Sequence, residues 1–228
     1  MRVLGIETST YSGSVAIVEE GKILGEIFFN NGPFHSEKLL PMIDCLLREV
    51  EVDKKLIDGI AVAVGPGSFT ALRIGISTAK GIALSLGIPI VGVSSLEILA
   101  LNLLFTPFVI CSIMDARKNE LFAAFFISTK ECADNRISED LLISPRDLTK
   151  MIHEKTVLIG NGALVYEDFL RSVLGERVLF SPSHFNFPRA SNCAILGAKR
   201  LKKGNTDDLS ALAPQYLRRA DAEILKER

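Results

Sequence analysis

Residues 63–77 read Ala-Val-Gly-Pro-Gly-Ser-Phe-Thr-Ala-Leu-Arg-Ile-Gly-Ile-Ser, and they pass from an apolar run into a helical pattern through Gly65-Pro66-Gly67. Because helix N-termini attract anions, one explanation of such a turn is a phosphate site. The stretch lacks the Lys-Ser/Thr pair of a P-loop, and its spacing differs from a dinucleotide-binding fingerprint. The pattern therefore favours a tight corner between a strand and a helix, with Ser68 or Thr70 as the helix N-cap.

Strand and helix patterns extend from this corner in both directions along the first half of the chain. Strands are indicated by β-rich or continuous apolar runs, and helices by apolar residues at spacings of three and four. We expect Pro41 near the start of its helix, because a proline deeper in a helix removes a backbone hydrogen bond. The predicted elements are Val3–Glu7, Ser14–Val18 and Ile23–Phe29 (strands), Ser36–Val50 (helix), Ile60–Val64 (strand), Thr70–Leu86 (helix), Ile90–Val93 (strand) and Ser95–Leu104 (helix).

A similar order of elements begins again at Phe108. The predicted elements are Val109–Met114, Leu121–Ile127 and Leu141–Ile143 (strands), Pro145–His153 (helix), Val157–Ile159 (strand), and Ala163–Val173 and Ala190–Lys203 (helices). Three strands followed by alternating helix and strand, given twice, predict an α/β fold of two lobes with mostly parallel sheets. We predict one lobe over residues 1–104 plus 189–228, to which the last helix returns, and a smaller lobe over residues 105–188.

The composition limits the classes of function. Hydrophobic residues make up 48% of the 228 residues, enough for a full core. Basic and acidic residues number 26 and 27, for a formal net charge of −1. Most affinity for nucleic acid comes from neutralising phosphates, so this balance disfavours a protein that holds RNA alone. A module that binds RNA directly therefore remains only a second alternative.

The cysteines and the apolar stretches predict a cytoplasmic protein that does not enter a membrane. Cys45, Cys111, Cys132 and Cys193 are far apart and form no CxxC pair, which argues against a zinc site and fits a reducing compartment. The longest stretch without a charge, residues 98–114, contains polar residues and a proline. It is more typical of a helix end, a turn and a strand than of a membrane span.

Four motifs resemble those of the bacterial TsaB (YeaZ) family, and they occur in the order expected for it. They are Leu4-Gly-Ile-Glu-Thr-Ser9, His35-Ser-Glu-Lys-Leu-Leu-Pro41, Gly65-Pro-Gly-Ser-Phe-Thr-Ala-Leu-Arg-Ile-Gly75 and Asp115-Ala-Arg117. One departure is Ala71, where the family motif usually has glycine. The resemblance implies the actin-like ATPase and sugar-kinase fold, with two lobes of βββαβα type.

The resemblance also implies a role and partners. Proteins of this family take part in making N6-threonylcarbamoyladenosine beside the anticodon of tRNAs that read codons starting with A. They pair with the catalytic paralogue TsaD, and the ATPase TsaE joins them. A homodimer is expected when TsaD is absent, and tRNA is expected to be reached only through the complex.

The metal-binding positions of TsaD are changed in this chain. TsaD has a His-x-x-x-His motif at a helix start and a later aspartate, and the matching positions hold Ser95, Leu99 and Ser191. Serine is a poor metal ligand and leucine is none. We therefore expect no metal site, no cofactor and no independent catalysis, hence a scaffold or activator. The alternative is an ATP-dependent transferase or a metallopeptidase-like enzyme with its own active site.

Two predicted helices carry a candidate surface for TsaD. In Thr70–Leu86, a strip of small residues includes Ser77, Gly81 and Ser85 at four-residue steps, and such rows let another helix approach closely. In Ser36–Val50 the apolar residues cover a wider arc of the helix surface than the burial of a single stripe requires. The alternative is that Ser36–Val50 itself fills the strip. The candidate interface residues are Leu40, Ile43, Leu47, Ile74, Ser77, Thr78, Gly81 and Ser85.

Three further residues are candidates for the side of the cleft that contacts nucleotide. Glu7 ends the first strand, where related ATPases often place an acidic residue, and strand ends often hold ligands. Gly160 and Gly162 open a helix and loosely resemble a glycine-rich nucleotide loop of TsaD. The structural explanation is favoured for Glu7, because a single glutamate at a strand end is mostly structural.

Overall fold

The computed structural model describes residues 1–32, 35–103, 105–128 and 136–218. Its first half builds one sheet with strand order β3-β2-β1-β4-β5. β1 pairs antiparallel with β2 and parallel with β4, and β4 and β5 are parallel. The elements are β1 (Arg2–Glu7), β2 (Gly13–Glu19), β3 (Lys22–Phe29), α1 (His35–Glu49), β4 (Gly59–Gly65), α2 (Phe69–Leu86), β5 (Ile90–Ser94) and α3 (Ser95–Ala100).

The second half repeats this arrangement in a sheet with strand order β10-β9-β6-β7-β8. β6 pairs antiparallel with β7 and parallel with β9, as β1 pairs with β2 and β4. The predicted duplication of the βββαβα order is confirmed. The elements are β6 (Val109–Asp115), β7 (Leu121–Phe126), β8 (Leu141–Ile143), α4 (Pro145–Met151), β9 (Thr156–Ile159), α5 (Asn161–Val165), α6 (Glu167–Leu174), β10 (Val178–Phe180) and α7 (Ala190–Lys202).

Helices cover both faces of the first sheet. α1 and α2 pack on one face in a core that includes Leu46 and Ile76, and α7 packs on the other face against β1, β2 and β4. Gly5 and Gly197 permit the close approach of α7, because a Cβ at either position would overlap atoms of Ala190 or Ala61. The exact boundaries of the two domains stay a prediction, and residues 219–228 of the first lie outside the described residues.

Helix α3 joins the two halves. Its Ile98 packs in the core between the first sheet and α7, whereas Leu96 and Leu99 pack with Ile110 and Phe126 of the second sheet. One short helix therefore contributes apolar side chains to both lobes, which ties the two sheets together through buried surface.

Several details differ from the sequence-based expectations. The helix predicted over Ala163–Val173 is two helices, α5 and α6, which meet at Tyr166. The strand β10 was not predicted from the sequence, and it is defined in the structure by its parallel pairing with β9. The helix predicted over Ser95–Leu104 ends at Ala100 and continues as a 3₁₀ turn to Leu103, while residue 104 lies outside the described residues.

Pro41 lies in the second turn of α1, not near its start as predicted. The missing N–H costs the carbonyl of Glu37 its usual helical partner. Pro41 itself is exposed, while Leu39, Met42 and other apolar residues of α1 are buried against the sheet. Burial of the apolar face offsets the lost hydrogen bond, since each such side chain contributes roughly 1.5–3 kcal/mol.

The uncharged stretch over residues 98–114 forms the end of α3, a 3₁₀ turn and most of β6. Over the residues that the structure describes, no helix has both the length and the apolar character needed to span a bilayer. Of the cysteines, Cys111 and Cys193 are buried free thiols and Cys45 is a half-buried one, while Cys132 lies outside the described residues.

Candidate functional site

The glycine turn before α2 is closed by the chain itself. A Cβ at Gly67 would overlap the carbonyl oxygen of Ser9 and come within 2.9 Å of Ser9 Cβ. The backbone N–H of Ser68, at the N-terminus of α2, donates to that same carbonyl oxygen at 2.7 Å. Ser68 is the N-cap residue as predicted, but within the described part of the chain its side chain makes no capping hydrogen bond. This geometry supports a structural corner, because a backbone carbonyl of the same chain takes one of the N–H groups that would otherwise face an anion.

The first turns of α2 are equally closed. A Cβ at Gly75 would overlap Thr8 Oγ1, and that hydroxyl donates to the carbonyl of Ala71 at 2.8 Å. Ala71, Leu72, Gly75, Ile76, Ala79 and Ala83 are the buried residues of the helix. The first half of α2 is therefore fixed against the loop that follows β1.

The second half of α2 presents a different face. We call Ile74, Ser77, Thr78, Gly81 and Ser85 the α2 strip. Ser77, Gly81 and Ser85 are exposed, while Ile74 and Thr78 are half-buried. A Cβ at Gly81 would meet no atom of the described residues within 4 Å. The alternative that α1 fills the strip does not hold at Gly81, although the two helices touch elsewhere.

The candidate residues of α1 separate into two groups. Leu40 is 57% exposed and Leu47 is half-buried, so both offer apolar surface beside α2. Ile43 is only 5% exposed and belongs to the core. Ile43 faces the first sheet because it lies one turn from Leu39 and Leu46, both of which are buried.

One exposed residue beside the α2 strip was missed in the sequence. Leu84 is 73% exposed. At about 100° per residue it lies roughly 20° from Ser77 around the helix axis. Its position three residues after Gly81 and seven after Ser77 is the signal that marks it as part of the same side.

The C-terminal segment limits this surface on one side. Lys80 donates to the carbonyl oxygens of Ser210 and Leu212 at 3.2 and 3.1 Å. Arg73 donates to the hydroxyl of Tyr216 at 2.9 Å. Both cations of α2 that flank the strip are therefore held by the returning chain, and the strip itself carries no charged residue.

Glu7 is completely buried at the end of β1. Its Oε1 accepts the N–H of Ser9 at 2.8 Å, and its Oε2 has no hydrogen-bond partner among the described residues. Burial raises the pKa of the carboxyl group to about 7 against the smaller opposing effect of the Ser9 hydrogen bonds. Glu7 is thus a buried group bound to the backbone of the loop that follows β1, and a contact with nucleotide stays a prediction.

Gly160 and Gly162 lie where α5 meets β6. Gly160 has φ +116°, and a Cβ there would overlap the carbonyl oxygen of Ile113. A Cβ at Gly162 would come within 2.8 Å of Leu121 Cδ2. The backbone N–H of Gly160 donates to Asn186 Oδ1 at 2.7 Å. Both glycines are thus required by close packing on the second sheet.

Comparison of nearly the full chain with known proteins identifies one group of related proteins. The family model described as TsaD, tRNA N6-adenosine threonylcarbamoyltransferase, matches residues 23–226. The tRNA threonylcarbamoyladenosine biosynthesis protein TsaB of Bacillus subtilis is 32% identical over 226 residues, which is 98% of this chain and 96% of that protein. The chain belongs to the TsaB family.

Solved structures agree with this membership. A Pseudomonas aeruginosa protein described as similar to the peptidase YEAZ superposes with a TM-score of 0.82 at 25% identity, over 95% of this chain and 99% of that one. A hexokinase of Thermus thermophilus shares the fold alone, with a TM-score of 0.51 at 10% identity over 90% of this chain and 100% of that one. This TsaB family member has the two-lobed actin-like ATPase and sugar-kinase fold.

In this TsaB family member, the three positions at which the resemblance predicts lost metal ligands, Ser95, Leu99 and Ser191, lie on two adjacent helices. Ser95 and Leu99 are fully buried in α3, and Ser191 is at the start of α7, which contacts α3. Ser191 Oγ donates to Glu26 Oε2 at 2.9 Å, and Glu26 also pairs with Arg189. Among the described residues, no three His, Cys, Asp or Glu side chains are grouped so that they could bind a metal ion.

Proposed function

We propose that this chain takes part in forming N6-threonylcarbamoyladenosine next to the anticodon of tRNAs that read codons starting with A. The observation that carries the proposal is the similarity to the Bacillus subtilis TsaB protein over nearly the full length of both chains. A match of that extent covers both lobes, whereas shared fold alone would leave the function open.

Within this process we propose that the chain acts as a non-catalytic scaffold or activator of TsaD in a heterodimer, and that TsaE joins the pair. Ser95, Leu99 and Ser191 support this role, because their side chains do not supply the ligands that a catalytic metal requires. Ser191 in addition donates its hydroxyl hydrogen to Glu26, which fixes it in an internal network. Docking would then act by favouring one state of TsaD, which needs only a differential affinity of a few kcal/mol.

The surface that we propose for TsaD consists of the α2 strip with Leu40, Leu47 and Leu84. Small exposed residues in a row allow the backbone of a partner helix to approach closely, and the flanking leucines supply apolar area. The open space over Gly81 supports this use, since a helix face that serves only solvent would more often carry Lys or Glu there. The same patch would pair with itself in a homodimer when TsaD is absent.

We propose a cytoplasmic protein that reaches tRNA through the complex, without a cofactor of its own. The formal net charge of −1 supports an indirect contact, because strong independent binding to RNA needs an excess of cations. Tight binding of the isolated chain to tRNA, with a steep salt dependence, would contradict this part of the proposal.

The experiment that tests the proposed function is reconstitution of the tRNA modification from purified TsaD, TsaE and the enzyme that supplies the activated threonylcarbamoyl group. We expect modified adenosine, measured by mass spectrometry of digested tRNA, to form only when this chain is added. A chain with Ser95→Ala should support the same yield, since no catalytic step is assigned to that serine. Full activity without the chain would contradict the role, and loss of activity in Ser95→Ala would contradict its non-catalytic character.

A further inference from the structure

A cavity of about 420 Å³ lies at the edge of the first sheet, between β5, the end of α7 and the segment that precedes β8. We call it the β5 cavity. Its volume is within the range typical of sites for small molecules. The charged residues of its lining that bear on binding include Arg136, Lys199, Arg200 and Lys203.

The position of the cavity is one where α/β proteins commonly bind ligands. Val64 is next to the last residue of β4 and Ser94 is the last residue of β5, so one end of the cavity lies at the carboxyl ends of two parallel strands. Lys203 lines the other end, where the neighbouring Leu201 packs on Gly59 at the start of β4. Ligands of open α/β sheets bind outside such ends. Lys199 is eight residues, or about 12 Å of helix, beyond Ser191, so the cationic end of the cavity lies apart from that serine.

Two arginines of the cavity wall are fixed by acidic partners. Arg136 donates to Asp140 Oδ1 at 2.6 Å and to Ser94 Oγ at 2.9 Å. Arg200 pairs with Asp207 at 3.3 Å. These contacts hold the walls in place and neutralise two of the four cations, which makes the site preorganised.

The other two cations of the cavity are not neutralised. In the residues that the structure describes, neither Lys199 nor Lys203 has a hydrogen bond or an ion pair from its ammonium group. They are four residues apart at the end of α7, so they lie on the same side of the helix. Glu97 lines the same cavity. Two unneutralised ammonium groups match the charge of a phosphate dianion better than that of a single carboxylate.

We propose that the β5 cavity binds a small phosphorylated molecule, with its phosphate between Lys199 and Lys203. The buried side chains of Val64, Val93 and Leu196 form the apolar part of the lining, against which the uncharged part of the ligand packs. The side-chain amides of Asn205 and Gln215 provide donors and acceptors for its polar groups. This site is separate from the α2 strip and does not depend on TsaD.

The test is isothermal titration calorimetry of the isolated full chain with inorganic phosphate, ribose 5-phosphate and adenosine 5′-monophosphate. We expect saturable binding of at least one probe, and tighter binding of the two organic phosphates if the apolar lining contributes. The double variant Lys199→Ala, Lys203→Ala should weaken binding by roughly tenfold or more, as expected for loss of charge-assisted hydrogen bonds.

Lys202→Ala is the matched control. It removes one positive charge from the same end of α7, against two in the double variant, and Lys202 pairs with Glu20 and does not line the cavity. We expect its affinity for the probes to stay within about twofold of the original chain. Circular dichroism and thermal melting of each variant establish that it is folded. The proposal is overturned if no probe binds at millimolar concentration, if the double variant binds as the control does, or if only an RNA oligonucleotide binds.

Discussion

The two halves of α2 use glycine in opposite ways. Gly75, and Gly67 just before the helix, are covered by Thr8 and Ser9, which approach so closely that any Cβ would overlap them. Gly81, two turns further on, has open space where its side chain would be. The first two glycines serve the packing of the chain on itself, and the third leaves room for something outside the chain. The difference separates the corner, which needs no ligand, from the surface that we propose for TsaD.

The largest effect is expected at the corner. Gly67→Ala should lower the free energy of unfolding by about 3 kcal/mol, because the new methyl group meets backbone, which cannot rotate away. Urea denaturation followed by circular dichroism measures this. A change under about 1 kcal/mol would show that the corner is looser than its contacts with Ser9 indicate.

The burial of Glu7 behind the same corner predicts a pH dependence. Its folded pKa of about 7 is above the ordinary 4.5, so protonated Glu7 stabilises the fold fully below pH 4.5, and this contribution is lost as the pH rises through 7. Glu7→Gln, which stays neutral, should change stability little at pH 4.5. At pH 8 it should raise the free energy of unfolding by on the order of 3 kcal/mol. Equal stability of the two chains across this range would mean that water reaches the carboxyl group.

A double-mutant cycle tests the closed contact inside α2. Gly75→Ala should cost about 2 kcal/mol, because the methyl group overlaps Thr8 Oγ1. In the Thr8→Ala background that hydroxyl is gone, and the same substitution should cost about 1 kcal/mol less. Urea unfolding of the four chains gives the coupling. Additive effects would show that Thr8 is not what excludes a side chain at Gly75.

The smallest effect is expected in the open half. Gly81→Ala should raise the free energy of unfolding by about 0.5–1 kcal/mol, since alanine favours the helix and its methyl group meets no atom of the described residues. Thermal melting of the isolated chain checks this, with Gly67→Ala as the contrasting glycine. Destabilisation at Gly81 would mean that the strip is already covered within the chain.

Local patterns were sufficient for most of the fold. The observed α2 begins one residue before the predicted helix and ends at the same residue, because the glycine corner and the apolar period define it. The duplicated order of elements was also predicted from the sequence. The break at Tyr166 and the position of Pro41 were not, since both depend on packing that outweighs local preference.

The sites were less predictable than the fold. The spacing of Ser77, Gly81 and Ser85 predicted an interface, and the structure leaves all three exposed. The burial of Ile43 was not predicted, because it depends on how α1 is rotated against the sheet. The β5 cavity was not predicted, because it combines Ser94, Arg136 and Lys199, which only the tertiary fold brings together. A period or motif within one segment carries no information about contacts between residues that are so far apart in the sequence.

The central claim is that the exposed half of α2 binds TsaD, and Gly81→Phe tests it most directly. The dissociation constant of the chain and TsaD, measured by calorimetry, should rise by at least about tenfold, because the ring fills the space that a partner helix needs. Ser172→Phe is the control, an equally bulky change at an exposed position of α6 in the other lobe, and it should leave the affinity unchanged. Circular dichroism should show both variants folded. Unchanged affinity in a folded Gly81→Phe chain would contradict the claim.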